Sequence, residues 1–146
     1  MRDTISFRHL GPDDLDLLLA VGKGLFDNAI LPAQAQAFLQ DPYHETILAH
    51  AGAEAVGMAS GQIMLHPDKP PAFFINEVGV REAYQRRGIA GRLCAELMAV
   101  ARARGCQGIW LATEADNHAA CALYRSLAAR ETDGIVVYDW DGAMDM

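Results

Sequence analysis

A strand, a glycine-rich turn and a long amphipathic helix are predicted in succession between Phe73 and Arg104, and this order constrains the fold more than any other feature. The strand reads FFINEVGV, and the helix that begins at Ile89 repeats apolar residues at spacings of three and four. Gly105 ends the helix, and another strand is predicted at 108–114. Two strands joined through a helix run parallel by a crossover connection, so this half of the chain predicts a mixed sheet.

The rest of the chain supplies further strands and helices of ordinary length. Pro12 opens a helical pattern that continues to Leu25 or Phe26, and Asn117 is suited to cap a helix whose apolar stripe includes Tyr124. The other predicted elements are strands at 5–8, 46–50, 55–65 and 134–140 and a helix at 33–40. The sequence contains no repeat and no long linker, so we expect one α/β (α+β) domain over residues 1–146.

Composition and charge narrow the class of protein. The chain has 146 residues, of which 51% are hydrophobic, and a formal net charge of −7. This balance disfavours a nucleic-acid binder, which needs a basic surface, and it suits a cationic partner. No apolar run is long enough to cross a membrane, and the charged start MRDTISFRHL does not resemble a signal peptide, so we expect a cytoplasmic protein. The spacing of the histidines and cysteines predicts no metal site.

The turn before the helix has the composition of a phosphate-binding site. The first N–H groups of a helix have no partner within the helix, and the helix dipole is positive at this end. A glycine allows a bulky anion to approach the main chain, and two arginines add positive charge at the rim. The sequence lacks the motifs of nucleoside triphosphate and dinucleotide sites. We therefore expect another phosphate compound to contact the segment QRRGIAG, which comprises Gln85, Arg86, Arg87, Gly88, Ile89, Ala90 and Gly91.

Three segments together resemble the GCN5-related N-acetyltransferase (GNAT) family. The turn resembles the family's acetyl-CoA signature Gln/Arg-x-x-Gly-x-Gly/Ala, and the strand NEVGV resembles its splayed central strand. The segment NHAACALY, which begins at Asn117, resembles the family's Asn-x-x-Ala-x-x-Leu-Tyr. The order of elements agrees over nearly the whole chain. The sequence departs from the family pattern at Leu127, Ala128 and Ala129, where Leu-Gly-Phe is common, and at Gln85, where arginine is commoner.

The resemblance implies the GNAT fold, in which helices cover both faces of a mostly antiparallel sheet that splays at its fourth strand. In the family this strand bulges, here at 78–80, and its free amides face the thioester. Many relatives dimerise, which implies a homodimer. The resemblance also implies acetyl-CoA as the cofactor, held by the QRRGIAG turn together with Val78, Gly79, Val80, Asn117, Ala120 and Tyr124.

Two residues are candidates for moving protons during the acetylation of an amine. Tyr124 matches the family's tyrosine that donates a proton or a hydrogen bond to the departing sulfur, although its apolar helix face also suits a core tyrosine. Glu77 is a charged residue within an apolar strand, and partial burial would raise its pKa toward that of a useful base. It could take the proton of the amine directly or through a water, or it could simply face the solvent.

The acceptor implied by the closest resemblance is an aminoglycoside. The type I aminoglycoside 3-N-acetyltransferases also have an acidic residue one strand before the signature, where Glu77 stands. The resemblance of this chain to those enzymes extends through the segments TEADN and YDWD. Because an acidic cleft attracts a polycation, substrate contacts are expected from Glu77, Glu114, Asp116 and Asp139. Two alternatives stay open: another amine, such as a polyamine, an amino acid or a protein N-terminus, and a CoA-binding module without catalysis.

Overall fold

A five-stranded sheet organises the larger part of the molecule in the computed structural model, which describes residues 4–145. The strands lie side by side in chain order, the first four antiparallel and the fifth parallel to the fourth. The sheet is therefore mixed and mostly antiparallel, as predicted. Its strands are β1 (Ile5–His9), β2 (His44–Ala51), β3 (Glu54–Met64), β4 (Ala72–Val80) and β5 (Gly108–Trp110).

Helices cover both faces of the sheet, as the resemblance implied. Side chains alternate between the faces along β2, so Ile47 packs in the cluster that contains Leu93 of the third helix, whereas Leu48 packs with Leu18 and Leu39 of the first two. The helices are α1 (Leu15–Leu19), α2 (Pro32–Gln40), α3 (Ile89–Ala103) and α4 (His118–Ser126), and short 3₁₀ turns lie at Glu82–Tyr84 and Ala143–Asp145.

A β-bulge interrupts the pairing of β3 with β4. Ser60 lies opposite Glu77 and Gly61 lies opposite Ile75, which leaves Asn76 as the extra residue of β4. The bulge thus falls in the middle of β4, immediately before the acidic residue that the sequence singled out.

The prediction that the strand bulges at 78–80 is wrong. These residues pair in continuous register with residues 57–59, and the irregularity lies two positions earlier. The physical reason lies in Gly61, where a β-carbon would stand only 2.3 Å from Cε1 of Phe73. Glycine permits the close approach that a bulge requires at this point of the sheet.

The sheet splays because β5 accompanies β4 over a short distance only. The parallel pairing covers Ala72, Phe73 and Phe74 and ends at Trp110. Among residues 4–145, no strand lies beside the outer edge of 75–80. The predicted strand at 108–114 is therefore too long, since the residues after Trp110 have no paired neighbour.

The helix predicted from Pro12 to Leu25 or Phe26 is also too long, because α1 ends at Leu19. Two glycines that follow it, Gly22 and Gly24, have φ angles of +79° and +94°. Such angles are incompatible with a right-handed helix and belong to glycine. The chain between α1 and α2 is consequently a loop of residues 20–31.

The described residues form two compact units, one that ends at Ala112 and one that begins at Thr113. The sheet and the first three helices belong to the first unit, and α4 belongs to the second. The expectation of one domain over residues 1–146 stays a prediction. No helix between residues 4 and 145 has the length and apolar character needed to cross a bilayer.

The second unit contains a helix with defined caps at both ends. Asn117 accepts a hydrogen bond from the Ala120 N–H at 3.1 Å, which confirms it as the N-cap of α4. At the other end, the N–H groups of Ala128 and Ala129 donate to the carbonyls of Arg125 and Tyr124 at 3.0 and 3.1 Å. This is the Schellman arrangement, and Ala128 takes the left-handed position with a φ of +62°.

The predicted last strand at 134–140 is wrong. These residues form no ladder in the structure, and the side chains of Ile135, Val137 and Tyr138 are at least 72% exposed. A strand is stable only beside a hydrogen-bonded neighbour, and the described residues of the second unit include no other strand. The β-branched residues of this segment favour an extended backbone, but they do not provide a second strand with which it could pair.

Candidate active site

A cavity of about 480 Å³ lies in the first unit between the loop of residues 20–31, helix α2 and the sheet. Its apolar lining includes Phe26, Ile30 and Phe38. Two carboxylates also line it: Asp27 from the loop and Glu77 from β4. The cavity therefore combines an apolar wall with two acidic groups, an arrangement suited to a cationic molecule that also presents apolar C–H faces.

Glu77 has an unusual electrostatic environment. Although Glu77 is an exposed residue, partial desolvation of its carboxyl at the cavity wall raises the pKa, and the negative charge of Asp27 raises that pKa further. A carboxylate with a raised pKa is a better proton acceptor than an ordinary surface carboxylate. The role of Glu77 as the base that accepts the proton of an amine stays a prediction.

Sequence reasoning missed Asp27 as a cavity residue. The apolar spacing of Leu25 and Phe26 suggested a continuing helix, in which Asp27 would be an ordinary surface charge. Gly22 and Gly24 carried the contrary signal, because two glycines so close together favour a loop over a helix. Once the segment is a loop, Asp27 lies on the cavity wall.

The QRRGIAG turn has the backbone geometry of an anion site. Gly88 precedes α3 with a φ of +77°, and its side-chain direction is open, since nothing lies within 4 Å of an ideal β-carbon there. The first helical hydrogen bond runs from the Arg92 N–H to the Gly88 carbonyl at 3.1 Å. The N–H groups of Ile89, Ala90 and Gly91 precede that bond and so have no partner within the helix.

The turn is anchored from both sides. The Gln85 side chain donates to the Val80 carbonyl at 3.0 Å, which ties the turn to the end of β4, and Ile89 is buried in the core. Arg86 and Arg87 are exposed, and the Arg87 guanidinium lies over the Tyr84 ring at 4.9 Å. Unpaired N–H groups, open space at Gly88 and two exposed cations fit the diphosphate of coenzyme A.

The second unit carries the other candidate residues. Tyr124 is half-buried on α4, the helix whose start Asn117 caps by accepting a hydrogen bond from the Ala120 N–H. Its proposed role in proton transfer and the cofactor contacts of the capping pair stay predictions. The same holds for the acceptor contacts of three residues that are all exposed: Glu114, Asp116 and Asp139.

Comparison with known proteins identifies the family. The model of the acetyltransferase (GNAT) family matches residues 19–128. The chain belongs to the GNAT family. It is an N-acetyltransferase that uses acetyl-CoA as its acetyl donor, as the resemblance of its turn and of its α4 segment implied.

Three similar proteins place the chain within this family. It is 36% identical over 114 residues to the N-alpha-acetyltransferase RimI of Mycobacterium tuberculosis, a match that covers 78% of this chain and 67% of that protein. It is 26% identical over 135 residues to the aminoglycoside N(6')-acetyltransferase type 1 of Serratia marcescens, covering 86% and 92%. The structure of the aminoglycoside N-acetyltransferase AAC(6')-Iy in complex with CoA superposes with a TM-score of 0.78 at 20% identity, covering 96% and 97%. This last likeness shows the fold.

Proposed function

We propose that this GNAT enzyme acetylates a primary amine of an aminoglycoside, at the 3-amino position. The observation that carries the proposal is the cavity in which Asp27 and Glu77 meet. An aminoglycoside carries several ammonium groups on an array of sugar rings. Two carboxylates can pair with its charges while apolar side chains contact the ring faces.

The choice of an aminoglycoside as the acceptor and the choice of its 3-amine as the acetylated group rest on different observations. Two relatives named above are aminoglycoside acetyltransferases, and the net charge of −7 favours a polycation. Both of those relatives are named for the 6'-amine, whereas the 3-amine rests on the resemblance of Glu77 and the TEADN and YDWD segments to the type I 3-N enzymes. Nuclear magnetic resonance of the purified product distinguishes the two positions.

The residues of this chain divide the proton transfers between them. When bound, acetyl-CoA supplies an acetyl group activated as a thioester. Glu77 accepts a proton from the acceptor's ammonium group at a carboxylate oxygen, which leaves a neutral amine able to attack. Tyr124 would donate its phenolic proton to the sulfur as the C–S bond breaks, and it would regain a proton from the nitrogen, which loses its second proton when the amide forms. The N–H groups at the start of α3 hold the diphosphate.

A protein N-terminus is the second candidate acceptor. The relative with 36% identity is named an N-alpha-acetyltransferase, and the apolar lining formed by Phe26, Ile30 and Phe38 suits the side chain of a peptide. A peptide amine presents one cation in place of several. Its binding should consequently depend less on the second carboxylate, that of Asp27.

Thiol release from acetyl-CoA tests the proposal with a panel of aminoglycosides, polyamines and short peptides. Turnover with aminoglycosides, and a loss of that turnover in Glu77→Gln of about 10²-fold or more, would support it. Asp68→Asn serves as the control, because it removes one exposed carboxylate outside the cavity. Strong turnover with peptides and none with any aminoglycoside would refute the preferred acceptor.

Replacement of Tyr124 tests the second proton transfer. Tyr124→Phe should lower kcat by about 10²-fold while the affinity for acetyl-CoA stays close to that of the wild type. Tyr43→Phe, at an exposed tyrosine outside the cavity lining, is the control and should leave kcat unchanged. An unaltered kcat in Tyr124→Phe would remove Tyr124 from the mechanism.

A further inference from the structure

The guanidinium of Arg81 joins the loop of residues 20–31 to the sheet. Its Nε donates to the Ala55 carbonyl at 2.7 Å, and its two terminal nitrogens donate to the Val21 and Lys23 carbonyls at 2.6 and 2.5 Å. All three acceptors are main-chain oxygens, so the contact fixes the backbone of the loop rather than one of its side chains. Arg81 is 58 residues away from Lys23 in the chain.

The backbone of Arg81 is itself held in place. Its N–H donates to the Val56 carbonyl at 2.8 Å, which continues the pairing of β4 with β3 beyond Val80. The planar guanidinium presents donors in fixed directions and can serve three acceptors at once, whereas a lysine ammonium is a flexible point charge. Arg81 is therefore a rigid connection between the sheet and the loop.

The loop is shaped to receive this guanidinium. Ideal β-carbons at Gly22 and Gly24 would lie 3.7 and 3.4 Å from the terminal nitrogens of Arg81. Both glycines also have positive φ angles. The loop rests on the sheet at a second point, since a β-carbon at Gly79 would lie 3.4 Å from the Leu25 carbonyl oxygen.

The residues that follow these two contacts line the cavity. Phe26 and Asp27 come immediately after Leu25, and the loop continues along the cavity as far as Leu31. Any displacement of the loop backbone at 21–25 would move the Asp27 carboxylate relative to Glu77, which is fixed in β4. Arg81 is outside the cavity lining, so it acts on the site only through the loop.

We propose that Arg81 is a positioning residue for the acceptor, and that it sets the place of Asp27 and Phe26 in the cavity. The inference rests on the proposed function, in which this cavity receives the acceptor. Displacing a group that orients a substrate by about 1 Å can lower the rate about 10²-fold, so a residue outside the site can control catalysis through such a loop.

Two variants test the inference from opposite sides of the contact. Arg81→Met removes the donors and keeps an apolar side chain, and Gly24→Ala strains the loop where it meets the guanidinium. Gly52→Ala is the matched control, because Gly52 has a φ of +61° with nothing within 4 Å of its β-carbon and lies outside the loop. If Arg81→Met folds poorly, Gly24→Ala still tests the inference.

Kinetics and hydrogen exchange give the deciding measurements. We expect both variants to lower kcat/KM for the acceptor about 10-fold to 100-fold, to leave KM for acetyl-CoA unchanged, and to speed amide exchange in residues 20–31 but not in the sheet. Arg81→Lys should not restore the acceptor kinetics, and Gly52→Ala should resemble the wild type. Equal losses for acceptor and acetyl-CoA, or rescue by lysine, would overturn the positioning role.

Failure of this inference is distinguishable from failure of the proposed function. If Asp27→Asn and Glu77→Gln both leave the acceptor kinetics unchanged, the cavity does not receive the acceptor and the proposed function is wrong. If those two variants impair the acceptor kinetics and Arg81→Met does not, the cavity stands and the role of Arg81 is overturned.

Discussion

Glu77 and Asp27 share one cavity, where partial desolvation raises the pKa of Glu77 and the negative charge of Asp27 raises it further. The two residues are distant in the sequence, and the loop of residues 20–31 brings them together. Their interaction links the electrostatics of the candidate base to the position of a loop residue. It therefore gives the site a measurable dependence on pH.

Removal of the Asp27 charge should move the acid limb of the pH–rate profile. Asp27→Asn removes one cause of the raised pKa of Glu77, so Glu77 should ionise at a lower pH and the acid limb of kcat/KM should shift to lower pH. Asp68→Asn, which removes the same charge from an exposed loop, should leave the limb in place. An unshifted limb in Asp27→Asn would contradict the coupling.

Removal of the Glu77 charge should lower the activity without lowering the stability of the protein at neutral pH. A carboxyl whose pKa is raised by folding favours the folded state below its unfolded pKa, and this contribution is lost as pH rises through the folded pKa. Glu77→Gln should consequently lower kcat. Between the unfolded and the folded pKa of Glu77, the free energy of unfolding should depend less on pH in this variant than in the wild type, and at neutral pH no stability should be lost. Chemical denaturation of both proteins at acidic and neutral pH measures this. A marked loss of stability at neutral pH would mean that the charge stabilises the fold.

The turn before α3 should be sensitive to a side chain at Gly88. Gly88→Ala introduces a methyl group into the space proposed for the diphosphate and also strains a backbone with a φ of +77°. The affinity for CoA should fall about tenfold or more, equivalent to about 1.4 kcal/mol. Calorimetric titration with CoA measures the change.

Gly105→Ala is the control for that experiment. Gly105 follows the other end of α3 with a φ of +83° and equally open surroundings, so an alanine there brings similar strain without approaching the turn. It should lower the free energy of unfolding and leave the affinity for CoA unchanged. If both variants lost the same affinity for CoA, backbone strain alone would explain the effect of Gly88→Ala.

Replacement of Ala128 by glycine should stabilise the protein. Ala128 holds a φ of +62° in the Schellman turn, a conformation that costs a non-glycine residue about 1–2 kcal/mol. Part of the gain is offset by the greater freedom of glycine in the unfolded chain, so Ala128→Gly should raise the free energy of unfolding by about 0.5–1 kcal/mol. Ala122→Gly, within the same helix, should lower it by about 1 kcal/mol. A loss in Ala128→Gly would contradict the assigned geometry.

Local patterns predicted the parts of the fold that local interactions determine. The apolar spacing of α3, the largely apolar runs of β2 and β3 and the crossover between β4 and β5 all follow from residues close in the sequence. The family resemblance of the turn and the α4 segment was confirmed by the comparison. Asn117 as a cap was confirmed as well, because capping involves residues only three positions apart.

The errors arose where distant residues decide the outcome. The position of the bulge depends on the fit of Gly61 against the Phe73 ring across two strands. The segment 134–140 has strand composition but no paired neighbour in the structure. Asp27 was missed because its role depends on a residue that the sequence places far away, and only the folded sheet brings the two into one cavity.

The bulge in β4 also changes which side chains belong to the core. Before it, Ile75 packs into the cluster of α3, and after it Val78 packs against the same cluster, so the core residues change from odd to even numbers at Asn76. The bulge therefore keeps Asn76 and Glu77 together on the cavity side, and deletion of Asn76 would restore a regular strand in which Glu77 still faces the cavity.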